Sequence, residues 1–255
     1  PMTLPRTPSF RLDGRTALVT GAGRGIGLGA AVALAEAGAA VTLVSRTAGE
    51  VEAVAAAIRE AGGTATGAAL DVTDTAAVSR FVAGRGPFDV LVNNAGGARH
   101  TTLADVTEAD YDVVTDLNVK AAFFVARAVA LALLEAKRPG SIVNVSSQMG
   151  HVGGPKRAVY CATKHAMEGF TKAMALELAP AGIRVNTLCP TFVETPMTRP
   201  MLEDATFRDF VLSKIPMGRV GRIEDLMGPV VFLASDASAL VTGTHLVVDG
   251  GWTAQ

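Results

Sequence analysis

The sequence predicts an α/β fold in which a parallel sheet carries helices on both faces. Three observations point there. Short apolar runs alternate with longer stretches of helical spacing along the whole chain. The apolar runs lack polar alternation, as expected of strands buried on both sides. The alternation of strand with helix implies right-handed βαβ crossovers.

In chain order, the predicted strands are 16–20, 40–44, 65–70, 90–93, 141–145 and 184–188. Ala- and Leu-rich helices are predicted over 25–37, 50–61 and 118–137, and a further helical segment over 160–179. No linker or repeat divides the chain, so a single domain spanning 1–255 is expected. The least regular stretch, 190–217, follows a strand and so lies at the carboxyl edge of the sheet, where open α/β sheets bind ligands. It is the predicted substrate loop or lid.

Composition narrows the function. The 255 residues are 49% hydrophobic and balance 23 Lys and Arg against 24 Asp and Glu, without the basic excess of a nucleic-acid binder. Two cysteines, Cys161 and Cys189, are too few for a disulfide framework. The most apolar run, 119–134, is interrupted by Lys120 and Arg127, so no membrane span is expected. Residues 1–9 lack a signal-peptide apolar core, and a cytoplasmic protein is the expectation.

The first strand leads into Thr20-Gly21-Ala22-Gly23-Arg24-Gly25-Ile26-Gly27. Glycines between a strand and a helix let backbone N–H groups approach a pyrophosphate, and the helix N-terminus adds partial positive charge. Dinucleotide binding follows. At the end of the second strand, where an acid would grip the ribose hydroxyls of NAD, stand Ser45 and Arg46. A guanidinium suits a 2′-phosphate, a contact of about 1.5–3 kcal/mol. With Arg24 in the glycine turn able to add to it, NADP(H) is favoured over NAD(H).

Tyr160 and Lys164 stand four residues apart on one helical face. A phenol with a pKa of about 10 is a poor base at neutral pH, and a neighbouring ammonium favours the phenolate. Ser146 and Ser147 follow the 141–145 strand, Asn93-Asn94-Ala95-Gly96 ends the strand before it, and Asn118 begins a predicted helix. Each alone is an ordinary cap or turn residue. In this order they place a proton donor, a carbonyl-orienting hydroxyl and a cofactor cradle at one sheet edge.

From Leu12 to Trp252 the chain resembles the short-chain dehydrogenase/reductase family in its shorter form. The resemblance implies a doubly wound, seven-stranded parallel Rossmann sheet and a tetrad of Asn118, Ser147, Tyr160 and Lys164. It implies that Ser147 holds the substrate oxygen and Tyr160 exchanges its proton. Lys164 would bind the nicotinamide ribose and lower the tyrosine pKa, and Asn118 would position a water. For the cofactor it implies Gly21, Arg24, Gly25, Ile26 and Gly27 in the phosphate-cradling turn, and Asp71 at the adenine with Val72 beside it. Asn93, Ala95, Gly96, Pro190, Val193 and Thr195 would lie along the rest. Assembly as a homo-oligomer, a dimer of dimers, is also implied. One departure stands out: the family's usual Pro-Gly after the sixth strand is Pro190-Thr191 here, and threonine resists a positive φ.

Gln148, His151, Arg157 and Thr191 join Ser147 as candidate substrate contacts, with Gly97, Arg99, His100 and Lys156 around them. So many donors and cations fit a hydroxylated or carboxylated small molecule. The C-terminal segment is similar to that of sugar-acid and polyol dehydrogenases, gluconate 5-dehydrogenase-like members among them. A 3-oxoacyl thioester reductase is the alternative, and a non-catalytic dinucleotide sensor the reading from another class. No His, Cys or acid spacing suggests a zinc site, so no metal is expected.

Overall fold

The computed structural model describes residues 2–254. Seven parallel strands form one sheet in the order β3-β2-β1-β4-β5-β6-β7. They are β1 (Thr16–Thr20), β2 (Ala40–Ser45), β3 (Thr64–Ala69), β4 (Val90–Asn93), β5 (Gly140–Val145), β6 (Ile183–Pro190) and β7 (His245–Val248). The six strands expected from the sequence are present within two residues at each end. The order reverses between β1 and β4, and that switch point opens a crevice at the carboxyl edge.

Each central strand sends alternate side chains into two separate cores. Val19, Val41, Leu43 and Val92 pack against α1 (Gly25–Glu36), α2 (Ala48–Glu60) and α9 (Glu224–Ala234). Leu18, Val44, Leu91 and Ile142 pack against α3 (Thr75–Arg85), α5 (Ala122–Glu135) and α6 (Ala158–Leu178). Full burial of each such side chain stabilises by about 1.5–3 kcal/mol. Contact between layers is close: a Cβ on Gly67 in β3 would lie 2.7 Å from the Glu52 backbone nitrogen in α2.

Two expectations are corrected here. Asn118 does not begin a helix. The helix starts ten residues earlier as α4 (Glu108–Thr115), widens into a π-helical turn at Asp116–Ala121 and continues as α5. Its start is signalled by Thr107, whose hydroxyl accepts from the Asp110 N–H at 3.1 Å, with Glu108 and Asp110 in the first turn. Acidic residues on this exposed first segment hid its periodicity. The continuous 108–135 helix is long and apolar enough to cross a membrane by length and composition, contrary to the expectation that no segment would be. Val125, Ala126, Val129 and Leu133 nevertheless pack on the sheet, which makes it a core helix, while Phe123, Phe124, Leu131 and Leu134 are exposed.

The 190–217 stretch is more regular than expected. It holds α7 (Arg199–Leu202) and α8 (Ala205–Ser213), the latter capped by Asp204, which accepts from the Phe207 N–H at 3.1 Å. Phe192, Val211 and Ile215 of this stretch form a small third core with Met149, flanked by Tyr160 and Trp252.

Asp89 anchors the amino-terminal side of the sheet. Its buried carboxyl accepts from the Thr16 N–H at 2.9 Å and from Arg138 Nη2 at 2.5 Å. Asp89→Ala leaves a partly buried N–H and the Arg138 guanidinium without their acceptor and should lower unfolding free energy by about 1–3 kcal/mol. Urea denaturation checks this, and an unchanged midpoint would show that Asp89 adds nothing.

Candidate active site

The carboxyl ends of β1, β4 and β5 gather the predicted residues. The Gly21–Gly27 turn joins β1 to α1 with Gly21 at φ +61° and Gly25 at φ +59°, conformations that glycine adopts without strain. A Cβ on Gly27 would lie 2.3 Å from the Gly21 carbonyl, so only glycine lets the turn close. The N-terminus of α1 has no side-chain cap and no acid in its first turn. Its N–H groups are therefore available to an anion, which fits a pyrophosphate. Thr195 bends over this turn, its Cγ2 3.5 Å from where a Gly25 Cβ would be.

Thr20 ties the turn to the β4 loop. Its Oγ1 accepts from the N–H groups of Asn94 and Ala95, both at 3.0 Å. Asn93 is buried, and its amide donates to the Ala122 carbonyl at 2.7 Å and to Asn144 Oδ1 at 3.1 Å. Its side chain thus holds β4 to β5 and α5. Asp71 accepts from Thr73 N at 3.0 Å and Thr73 Oγ1 at 2.7 Å, and these bonds, helped by the Arg46 charge, hold its carboxyl below the usual range. Val72 is buried beside it. Ser45 Oγ is engaged in its own turn, donating to the Thr47 carbonyl at 3.1 Å, whereas Arg46 is exposed.

Around Tyr160 the predicted tetrad converges. The π-helical turn brings Asn118 inward, fully buried, where Oδ1 accepts from Gly97 N at 2.9 Å and Nδ2 donates to the Gly97 carbonyl at 2.8 Å. Nδ2 also donates to Thr163 Oγ1 at 3.1 Å, and Thr163 donates in turn to the Tyr160 carbonyl at 2.7 Å. Lys164 is 5% exposed, donates to the Val145 carbonyl at 2.8 Å and places Nζ 5.7 Å from the Tyr160 ring centre. Burial draws its pKa down to about 8, against the attraction of Cys189 and Glu168. Burial pushes the Tyr160 phenol up, while the hydrogen bond to Ser147 and the Arg157 charge pull it back. Ser147 Oγ accepts from the Met149 N–H at 3.1 Å, which fixes the hydroxyl at the β5 exit.

The structure does not bring all the candidate substrate residues together. Arg157 is 9% exposed, lies 5.2 Å over the Phe192 ring and hydrogen-bonds the His100 ring at 3.0 Å. Burial and the Arg157 charge hold His100 neutral, with a pKa of about 4. Among the described residues no carboxyl group pairs with Arg157. Gln148 Oε1 and Thr191 Oγ1 are buried without hydrogen-bond partners. Thr191 does not have a positive φ, so the departure from Pro-Gly leaves ordinary backbone, with its N–H donating to the Val248 carbonyl at 3.2 Å. His151 faces away from Arg157's surroundings, toward Cys189 and Glu168. Phe192, Phe207 and Trp252, which stack around the Arg157 side, were missed from the sequence because aromatic spacing there follows no helical or strand period.

A family model described as enoyl-(acyl carrier protein) reductase matches residues 21–253. L-Xylulose reductase of Bos taurus is 42% identical over 245 residues, covering 96% of this chain and 99% of that protein. Gluconate 5-dehydrogenase of Gluconobacter oxydans is 42% identical over 248 residues, 96% of each chain. The structure of a gluconate 5-dehydrogenase from Burkholderia cenocepacia in complex with NADP and tartrate superimposes with a TM-score of 0.91. It is 40% identical and covers 96% of this chain and 98% of that one. Likeness of this extent, on a doubly wound sheet whose glycine turn leaves a helix N-terminus open to phosphate, places the chain in the short-chain dehydrogenase/reductase family, as a nicotinamide-dependent oxidoreductase.

Proposed function

We propose that the protein interconverts a secondary alcohol and a ketone on a small polyhydroxylated acid, with NADP(H) as cofactor. The observation that carries this reading is the buried Arg157 guanidinium, which has an aromatic face and a neutral imidazole for neighbours and no acid of its own. A buried cation left without a counter-charge costs several kcal/mol, and a substrate carboxylate supplies the partner in bidentate form. The unpartnered Gln148 and Thr191 acceptors suit substrate hydroxyl groups. By their names, a gluconate 5-dehydrogenase among the relatives acts on such an acid, and an L-xylulose reductase on a neutral polyhydroxylated ketone.

Bound nicotinamide supplies or accepts the hydride. The protein's part is to hold the alcohol oxygen and handle its proton. Ser147 orients the oxygen and Tyr160 donates or removes the proton. Lys164 offers its ammonium to the phenolate and to the ribose, and Asn118, held by Gly97 and Thr163, fixes the helix turn behind it. The 190–217 lid covers the site through Phe192 and Val211. Ser45 and Arg46 stand at the end of β2, and Arg46 is the exposed group offered to a 2′-phosphate.

Three outcomes test this. Tyr160→Phe should lower kcat by about 10²–10⁴-fold with NADPH binding unchanged by fluorescence titration. Retained turnover would move the proton chemistry elsewhere, and an absence of turnover in the unaltered enzyme across all substrates would favour a sensor. Arg157→Leu should raise KM for a gluconate-like acid by roughly ten- to a hundred-fold and leave neutral ketoses nearly unaffected. Equal loss on both, or brisk activity only on 3-oxoacyl thioesters, the substrate class named for a relative from Thermotoga maritima, would replace the sugar-acid reading. Arg46→Ala should weaken NADPH about ten-fold or more relative to NADH. Tighter binding of NADH than NADPH by the unaltered protein would reverse the cofactor assignment.

A further inference from the structure

Behind the catalytic turn, four parts of the fold bring together groups that are far apart in sequence. His151 caps the short turn Gln148–Gly150 that follows Ser147. Glu168 lies one helical turn beyond Lys164 on the buried face of α6. Cys189 is near the end of β6, and His245 begins β7. The register of β6 against β7 sets Thr187 beside His245.

The distances approach those of a coordination sphere. His151 Nε2 is 3.7 Å from Glu168 Oε1, and the His151 and His245 rings are centred 4.3 Å apart. One donor atom from each of His151, Glu168 and His245 can be chosen so that all three lie within 4.8 Å of one another. Donors bound tetrahedrally at about 2.0–2.2 Å stand about 3.3–3.6 Å apart, so the His151–Glu168 pair is already close to this spacing. His245 is exposed at the start of β7.

Glu168 gives a second reason. Its carboxyl group is 6% exposed, yet it is met by a hydroxyl, a thiol and an imidazole: Thr187 Oγ1 at 2.9 Å, Cys189 Sγ at 3.3 Å and His151. None of these carries a fixed charge. The Lys164 ammonium one turn away on α6 attracts this carboxylate, and a cation seated among the three donors would add to that attraction.

The geometry points to a binding site for one divalent transition-metal ion of the zinc class, held by His151, Glu168 and His245. Two imidazoles and a carboxylate select zinc, cobalt or nickel over magnesium or calcium, which prefer all-oxygen sites. Cys189 Sγ, 3.4 Å from His151 Nε2, places a soft donor on the buried side. The ion would join the turn carrying Ser147 to α6 and to the edge strand β7, and so brace the catalytic hydroxyl from behind. The role is positional, since neither imidazole touches Tyr160 or Lys164 in the hydrogen-bond network.

The sequence concealed the site because its ligands lie on separate elements, 17 residues apart between His151 and Glu168 and 77 between Glu168 and His245 by subtraction of their numbers. The test uses tag-free full-length protein stripped with chelator and titrated calorimetrically with Zn²⁺. One ion should bind per chain, with a rise in Tm, and Co²⁺ should give the visible absorption of a low-coordinate site. His151→Ala and His245→Ala should each weaken binding at least ten-fold while NADPH still binds, which shows that the variants fold. Absence of one-to-one binding, or a change under ten-fold in either variant, overturns the assignment. None of these readouts depends on which substrate the enzyme turns over.

Discussion

The carboxyl edge of this sheet is organised by the burial of one ammonium group. Lys164 reaches the interior from α6 and donates to the last carbonyl of β5, and burial brings its pKa to about 8. An amine so placed is stable only if its surroundings are fixed, because every degree of freedom near it would admit water or lose the hydrogen bond. The surroundings are accordingly polar and closed. Asn144 donates to Thr171 on α6, Asn93 donates to Asn144, and Thr20 fastens the β4 loop to the β1 turn. A chain of buried amides and hydroxyls thus runs from the glycine turn to the tyrosine helix, and it sets the position of Gly21–Gly27 relative to Tyr160.

The π-helical turn at 116–121 belongs to the same arrangement. An uninterrupted α-helix would carry Asn118 past the Gly97 backbone. The extra residue in the turn rotates its amide inward, where it bonds Gly97 on both sides and Thr163 on α6. Helix geometry has been distorted locally so that one side chain can link a loop and a helix, and that is a common signature of a functional position.

Much of this was legible from the residues. Strand and helix alternation gave the sheet, and the glycine turn, Ser147, Tyr160 and Lys164 marked its working edge, because each reflects a local requirement: a tight turn, an i,i+4 pair, a strand exit. What was hidden depends on distance in sequence or on exposure. The α4 start was masked by acids on a solvated face, although Thr107 signalled it. The β7 strand is short and half-exposed at the sheet edge, so its pattern is weak. Arg157 read equally as a solvated cation, and only packing against Phe192 and His100 shows it to be buried. The gathering of His151, Glu168 and His245 is a product of topology alone.

The aromatic contacts of the 190–217 segment have an optical consequence. The chain has a single tryptophan, Trp252, and its ring lies 5.8 Å from Phe192 and 6.4 Å from Phe210, one on each limb of that segment. Indole emission responds to the polarity of its surroundings, and here those surroundings include both limbs. The molecule therefore carries one intrinsic fluorophore whose emission reports any change in the packing of this segment, without an attached dye or a second tryptophan to confuse the signal.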